Sequence, residues 1–258
     1  MTDRQLGEII QWFLQYPERF RDPEGRLHSM MELKRDHSRR VAEYCRYIAR
    51  EMDWSPEEVN TAEAAGWLHD LGRFPQWAEF ETFYDPVSLN HAEKGRDILE
   101  QENILAVLPR PEEKAILDAV SMHNKRDLPE DIAPASLPLV KLVRDGDKLD
   151  IYDVVWGHLT AGSIKQLLPG ISTDRKASPA LLEELARDGR ASYHNVKTVP
   201  DFLLTQISWV NNVNYAPSFR HIAEKGLVDR LRDYLPCEEP GVESLIETAG
   251  ERIREGSG

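Results

Sequence analysis

A chain of 258 residues with a formal net charge of −13 is a poor match for long nucleic acid, whose phosphates are held by clustered Lys and Arg. Its 30% charged and 41% hydrophobic residues fit a soluble helical protein of one large domain and exclude a fibrous or disordered chain. A small anionic partner stays open, because a local cationic pocket or a bound metal outweighs the global field at close range.

Cys45 and Cys237 share no metal-ligand spacing and form no disulfide framework, which points to a reducing compartment. The start, "MTDRQLGEIIQWF", lacks a basic segment followed by an apolar one, and no apolar run approaches the roughly 18–20 residues that span a bilayer. The expectation is a cytoplasmic protein with no membrane partner; a homodimer is compatible with the sequence.

Helical punctuation recurs along the chain without alternating strand patterns or internal repeats, so the fold is expected to be all-α. Helices are predicted over Asp3–Tyr16, Lys34–Met52, Pro56–His69, Asn90–Glu102, Pro111–His123, Leu137–Leu159, Pro179–Arg187, Val199–Asn211, Pro217–Tyr234 and Gly241–Arg254. Ser55, Pro56 and Glu58 form a capping-box start; Pro111 and Ser178-Pro179 mark two more. The Trp and Tyr of "QWFLQYPERF" read as core or interface anchors. "GRFPQWAEFETFYDPVSL", between His69 and His91, reads as a loop whose aromatics lid a site, and Ala161–Lys176 as a long loop or the seam to a C-terminal helical layer.

Histidines and aspartates fall repeatedly on the inner faces or ends of these helices. His37 shares a face with Val41, Tyr44, Ile48 and Met52; His69 with Val59, Ala62 and Gly66, with Asp70 where the helix ends. Asn90 caps a helix whose stripe is His91, Gly95 and Ile98, and Ile116, Ala119 and His123 line another. Val140, Asp147, Ile151 and Val154 lie within about 40° of one another, whereas Asp145 points about 140° away from Val140, so Asp147 is the inward carboxylate. Asp150 and Asp153 are assigned to a solvated face, and His28, His158, His194 and His221 to ordinary surface or satisfied core positions.

His37, His69, Asp70, His91, His123 and Asp147 therefore lie on or beside apolar faces, which do not accept such groups without partners. Meeting around metal solves this: the nitrogen and oxygen donors suit one or two divalent transition ions (Mn, Fe, Zn, Ni or Co) rather than a thiolate site. Four donors hold one ion, and the two further histidines leave room for a second, bridged by Asp70 or by hydroxide.

The order His, His-Asp, His, His, Asp over about 110 residues, carried by "DHSRRVA", "LHDLGRF", "NHAEKGRDIL" and "VRDGDKLDIY", resembles the HD-domain superfamily of metal-dependent phosphohydrolases. The resemblance covers roughly Leu33 to His158; the tail "DFLLTQISWVNNVNY" is similar to uncharacterised members and carries no mechanism. It implies a single HD-type helical bundle: an N-terminal helical extension over 1–32, a metal-binding core over 33–160, and C-terminal helices over 161–258 packing on the same domain. By that resemblance His37, His69, Asp70 and Asp147 match the basic metal set, and His91 and His123 the extra pair of members with two metals. No Gly-Tyr-Pro triplet occurs, which argues against the cyclic-di-nucleotide branch and against cyclic-di-GMP as substrate.

Basic residues flank these positions. Arg73 follows the His-Asp pair, where HD sequences commonly carry Lys or Arg; Lys94 stands one turn after His91; Arg144 and Lys148 flank Asp147. All four are candidates to hold phosphate oxygens. The leading expectation is hydrolysis of a phosphate ester or anhydride in a small molecule, a nucleotide in the first instance, with Asp70 bridging metals or orienting the nucleophile and Arg73 offsetting charge. Two alternatives share the ligands: a di-iron oxygenase of the same superfamily, and a non-catalytic metal- or nucleotide-binding module.

Overall fold

In the computed structural model, residues 1–168, 170–236, 238 and 241–258 are described. The chain runs through α1 (Asp3–Gln15), α2 (Ser29–Glu51), α3 (Pro56–Leu68), α4 (Arg73–Phe80), α5 (His91–Glu102), α6 (Arg110–Met122) and α7 (Leu137–Thr160). It continues through α8 (Ile164–Leu167), α9 (Pro179–Asp188), α10 (Val199–Ser208), α11 (Ala216–Lys225), α12 (Leu227–Arg232) and α13 (Val242–Ser257). Among the described residues there is no strand, only an isolated bridge between Ser172 and Thr198. The protein is all-α, as its punctuation predicts. No helix among them is long and apolar enough to cross a membrane.

The helices form two compact units, Met1–Asp147 and Lys148–Gly258. In the first, α3 is buried on nearly every side, and its small residues let neighbours approach closely. A Cβ on Gly66 would stand 2.6 Å from the Ala42 Cα, so α2 and α3 touch backbone to backbone there. On α7, a Cβ on Gly146 would lie 2.9 Å from the Cys45 sulfur, which brings the Asp147 turn against α2. Phe13 of α1 completes this core against Trp67 and Phe74, at ring-centroid distances of 5.2 and 6.1 Å. Tyr16, just past α1, is buried too, whereas Trp12 is half-buried.

In the second unit, α13 packs with α9, α10, α11 and α12. Asp201 caps its own helix and accepts from the backbone N–H of Ser178, Lys197 and Thr198. Tyr152 is buried and donates its hydroxyl hydrogen to the Gln206 carbonyl at 2.8 Å.

Several sequence expectations are corrected. Residues Arg73–Phe80, read as loop, form α4; Pro75 sits in its first turn, where no intrahelical N–H is needed. Helix α2 starts at Ser29 rather than Lys34, because the His28 imidazole accepts from the Met30 N–H as an unusual cap. The predicted Pro217–Tyr234 helix breaks into α11 and α12 at Gly226, whose φ of 57° ends the first. Asp150 is fully buried rather than solvated, and Asp145 is fully buried too although it faces away from the Asp147 side. Asp153 is half-buried. Within Ala161–Lys176 the short helix α8 forms; Pro169 lies outside the described residues, as does Cys237, while Cys45 is buried and burial raises its thiol pKa.

Candidate metal centre

Each candidate donor owes its position to a helix. His37 lies within α2; His69 ends α3, and Asp70 follows it directly. Asn90 caps α5 by accepting from the N–H groups of Ala92 and Glu93, which sets His91 in the first turn. His123 ends α6, and Asp147 lies within α7. Gly72 ties two of these together: a Cβ there would stand 2.1 Å from the His91 carbonyl oxygen. Only glycine lets the turn after the His-Asp pair press onto the start of α5.

The six donors gather in the first unit as two contiguous sets. His37 Nε2 lies 3.1 Å from Asp147 Oδ1, 3.4 Å from Asp70 Oδ2 and 3.2 Å from His69 Nε2. His69 Nε2 is 3.6 Å from each of those two carboxylate oxygens. On the other side of the same Asp70 carboxylate, Oδ1 lies 3.4 Å from His91 Nε2 and 3.5 Å from His123 Nε2, which are 3.0 Å apart. Ligands held about 2.0–2.2 Å from one ion stand roughly 3–3.5 Å from each other, so both spacings suit a divalent ion.

The ring nitrogens give an independent test. His69 Nδ1 and His123 Nδ1 each donate to a carbonyl 2.8 Å away, on Gly66 and Val120, and His91 Nδ1 donates to Asp85 Oδ2 at 2.6 Å. Their Nε2 atoms are therefore lone-pair acceptors, crowded together in a buried place. Burial lowers the His69 pKa and, with Arg73 adding, pushes that of His91 down to about 3, so these rings are neutral near pH 7. Neutral imidazoles and carboxylates facing one another call for a cation, and the residues fit a divalent metal.

Burial pushes the Asp70 carboxyl up, but the cations Lys34 and Arg73 help outweigh it, and the group is held well below the usual carboxylate range. Asp147 behaves alike: burial raises it, and its polar contacts, that with His37 first, more than compensate and hold it well below the usual carboxylate range. Asp85 is likewise raised by burial yet brought to about 2, first by its hydrogen bond with His91.

The four candidate cations occupy different settings. Arg73 NH1 donates to Gln76 Oε1, the Phe83 carbonyl and Asp85 Oδ1, at 2.8, 2.6 and 2.9 Å, while its Nε stands 3.5 Å from Asp70 Oδ1. Lys94 is half-buried on α5. Arg144 is buried, and its guanidinium donates to the carbonyls of Met122, His123, Lys125 and Arg126, clamping the end of α6. Lys148 opens the second unit and is buried.

Sequence reasoning missed two residues at this centre. Lys34 Nζ lies 2.8 Å from Asp70 Oδ2 and 5.4 Å above the Phe83 ring. Its position one turn before His37, on the same face of α2, was the signal that could have found it. Asp85, bonded to the far nitrogen of His91, sits in an irregular segment and had no such signal.

An all-α unit whose buried histidines and aspartates converge in this way is of a metal-binding type. Residues 35–152 match the family model described as the HD domain, and the chain carries an HD domain over that stretch. The match and the buried His and Asp cluster together fit a metal site of the HD type. Comparison with curated proteins and with solved structures gives no match.

Proposed function

We propose that the protein is a two-metal phosphohydrolase acting on a phosphate ester or anhydride of a small molecule, a nucleotide in the first instance. The observation that carries this is the Asp70 carboxylate: Oδ2 faces the His37, His69 and Asp147 set, and Oδ1 faces the His91 and His123 pair. In this reading His37, His69, Asp70 and Asp147 hold one divalent ion, and Asp70, His91 and His123 a second. Ions so held supply a water of lowered pKa and a Lewis acid for a phosphoryl oxygen.

The chain's own residues supply the rest. Asp70 fixes both donor sets relative to each other, and its neighbour Gly72 seats His91 against them. Lys34 and Arg73 both lean on Asp70 and on the Phe83 ring, so they place positive charge beside the site while their stems stay packed. A phosphate group entering there exchanges for the Asp70 contact of Lys34, and Lys94 stands one turn from His91 as a further cation. Arg144 acts on His123 through the end of α6 rather than on substrate.

The test is elemental analysis of the purified protein, then phosphate release from a nucleotide panel and a generic phosphodiester on the same sample. Two equivalents of metal with phosphate or nucleoside release support the reading. Two irons with oxygen uptake and no release replace it with the oxygenase, tight ligand binding without turnover replaces it with a binding module, and no metal after reconstitution removes the centre itself.

A further inference from the structure

The three histidines with assigned tautomers do not have equivalent partners on their far nitrogens. His69 and His123 donate to backbone carbonyls inside helix ends, which are neutral and rigid. His91 instead donates to a carboxylate: Asp85 takes its Nδ1 hydrogen, with Oδ2 at 2.6 Å and Oδ1 at 2.9 Å. A carboxylate behind an imidazole fixes the ring's direction and makes its other nitrogen a better donor to a cation.

Asp85 stands on no long helix. It lies in the segment between α4 and α5, and its side chain is a quarter exposed. What holds it there is a set of converging donors: Arg73 NH1 and Gln76 Nε2, each at 2.9 Å from Oδ1, and Asn124 Nδ2 at 3.2 Å from Oδ2. Gln76, fully buried, also donates to Ser88 Oγ and the Leu89 carbonyl, and Arg73 to the Phe83 carbonyl. The same hydrogen bonds that dock this segment therefore aim Asp85 at His91. By contrast, His37 and Asp147 lie within α2 and α7, and the far nitrogen of His69 donates to the Gly66 carbonyl of α3, outside this segment.

We propose that Asp85 is a positioning residue that sets the affinity of the Asp70, His91 and His123 set for a divalent ion, and makes that affinity conditional on docking of residues 81–90. The inference rests on the two-ion reading above. Binding at the other set is independent of Asp85. By linkage the coupling runs both ways: an ion on the second set holds the segment down.

Zinc titration by calorimetry of the metal-free full chain separates the possibilities, with limited proteolysis across residues 81–90 as a second readout. In the wild type two equivalents bind, and the second slows cleavage within the segment. In Asp85→Asn, which keeps the shape and removes the charge, the first equivalent binds as in wild type. The second weakens by roughly 10- to 100-fold, and its protection of the segment is lost. Asp85→Glu, which keeps the charge on a longer stem, binds the second equivalent more tightly than Asp85→Asn and more weakly than wild type, and serves alone should the Asn variant not fold. Wild-type affinity for both equivalents in the variants, or equal weakening of both, overturns the inference. A wild type that binds a single equivalent fails the two-ion reading instead.

Discussion

His91 and His123 point lone-pair Nε2 atoms at each other across 3.0 Å in a buried site, while each ring's Nδ1 hydrogen is donated elsewhere. Such a pair is tolerable with a cation beside it. The His91 pKa is pushed from 6.5 down to about 3, chiefly by burial, and burial lowers His69 as well. The unfolded chain then binds protons below pH 6.5 that the folded chain refuses, so stability is full above that value and declines as pH falls towards about 3. Asp85, held at about 2 against an ordinary 3.8, extends the decline to lower pH in the same direction. Metal release follows the same sign, because protons compete for the ligand nitrogens. Thermal melting of chelated protein and metal retention after desalting, both stepped down from pH 7.5, check this. A melting temperature that rises on acidification through this window contradicts it.

Asp70→Ala should remove metal from both sets together and abolish turnover, since a different oxygen of the one carboxylate faces each set. His91→Ala, in comparison, should spare the His37, His69 and Asp147 set. Metal content of the two variants, measured side by side, distinguishes a shared carboxylate from two separate sites; an Asp70→Ala protein that keeps full metal and activity refutes the assignment.

The elements that position the donors were legible because each has a local cause. Ser55 with Glu58 and Asn90 cap helices as their residue types dictate, and His69 and His123 end apolar stripes. Helix α4 was not legible, since Gly72 and Pro75 signal a break although Pro is harmless in a first turn. The burial of Asp150 escaped the helical wheel because α7 is buried around most of its circumference, so one apolar stripe does not describe it. Asp85 and Arg144 act through contacts distant in sequence or set by irregular backbone, which no spacing rule encodes.

Gly72→Ala introduces a methyl group where the nearest atom is the His91 carbonyl oxygen, at 2.1 Å. Backbone cannot step aside as a flexible side chain does, so α5 must shift away from the His-Asp turn. The expected cost is about 3 kcal/mol, at the upper end for overpacking, with loss of the second metal equivalent. Denaturant unfolding read beside metal content checks both; a variant as stable as wild type with two equivalents refutes the close approach.

Arg144→Lys should destabilise the protein by roughly 2 kcal/mol despite keeping the charge. The guanidinium reaches four carbonyls at the end of α6, and an ammonium on a flexible stem cannot span them together. Those left unpaired are buried or partly buried, and one of them belongs to His123. Unfolding free energy and affinity for the second metal equivalent should fall together. A loss of catalysis with stability and metal unchanged would instead place Arg144 on substrate.

Lys34→Met separates a structural ion pair from a substrate contact. In the metal-free protein the ammonium is the nearest cation to Asp70, at 2.8 Å, so its removal should lower the melting temperature of the chelated form. A positive charge beside a metal site also repels the ion, so the same variant should bind metal at least as tightly as wild type. If Lys34 turns to a substrate phosphate when metal replaces it on Asp70, kcat/KM falls by roughly ten- to a hundredfold, the worth of one charge-assisted hydrogen bond. The combination of retained metal, a less stable apo form and slower turnover is specific to that exchange. Unchanged kcat/KM confines Lys34 to neutralising Asp70 before metal arrives, and leaves the phosphate to Arg73 and Lys94.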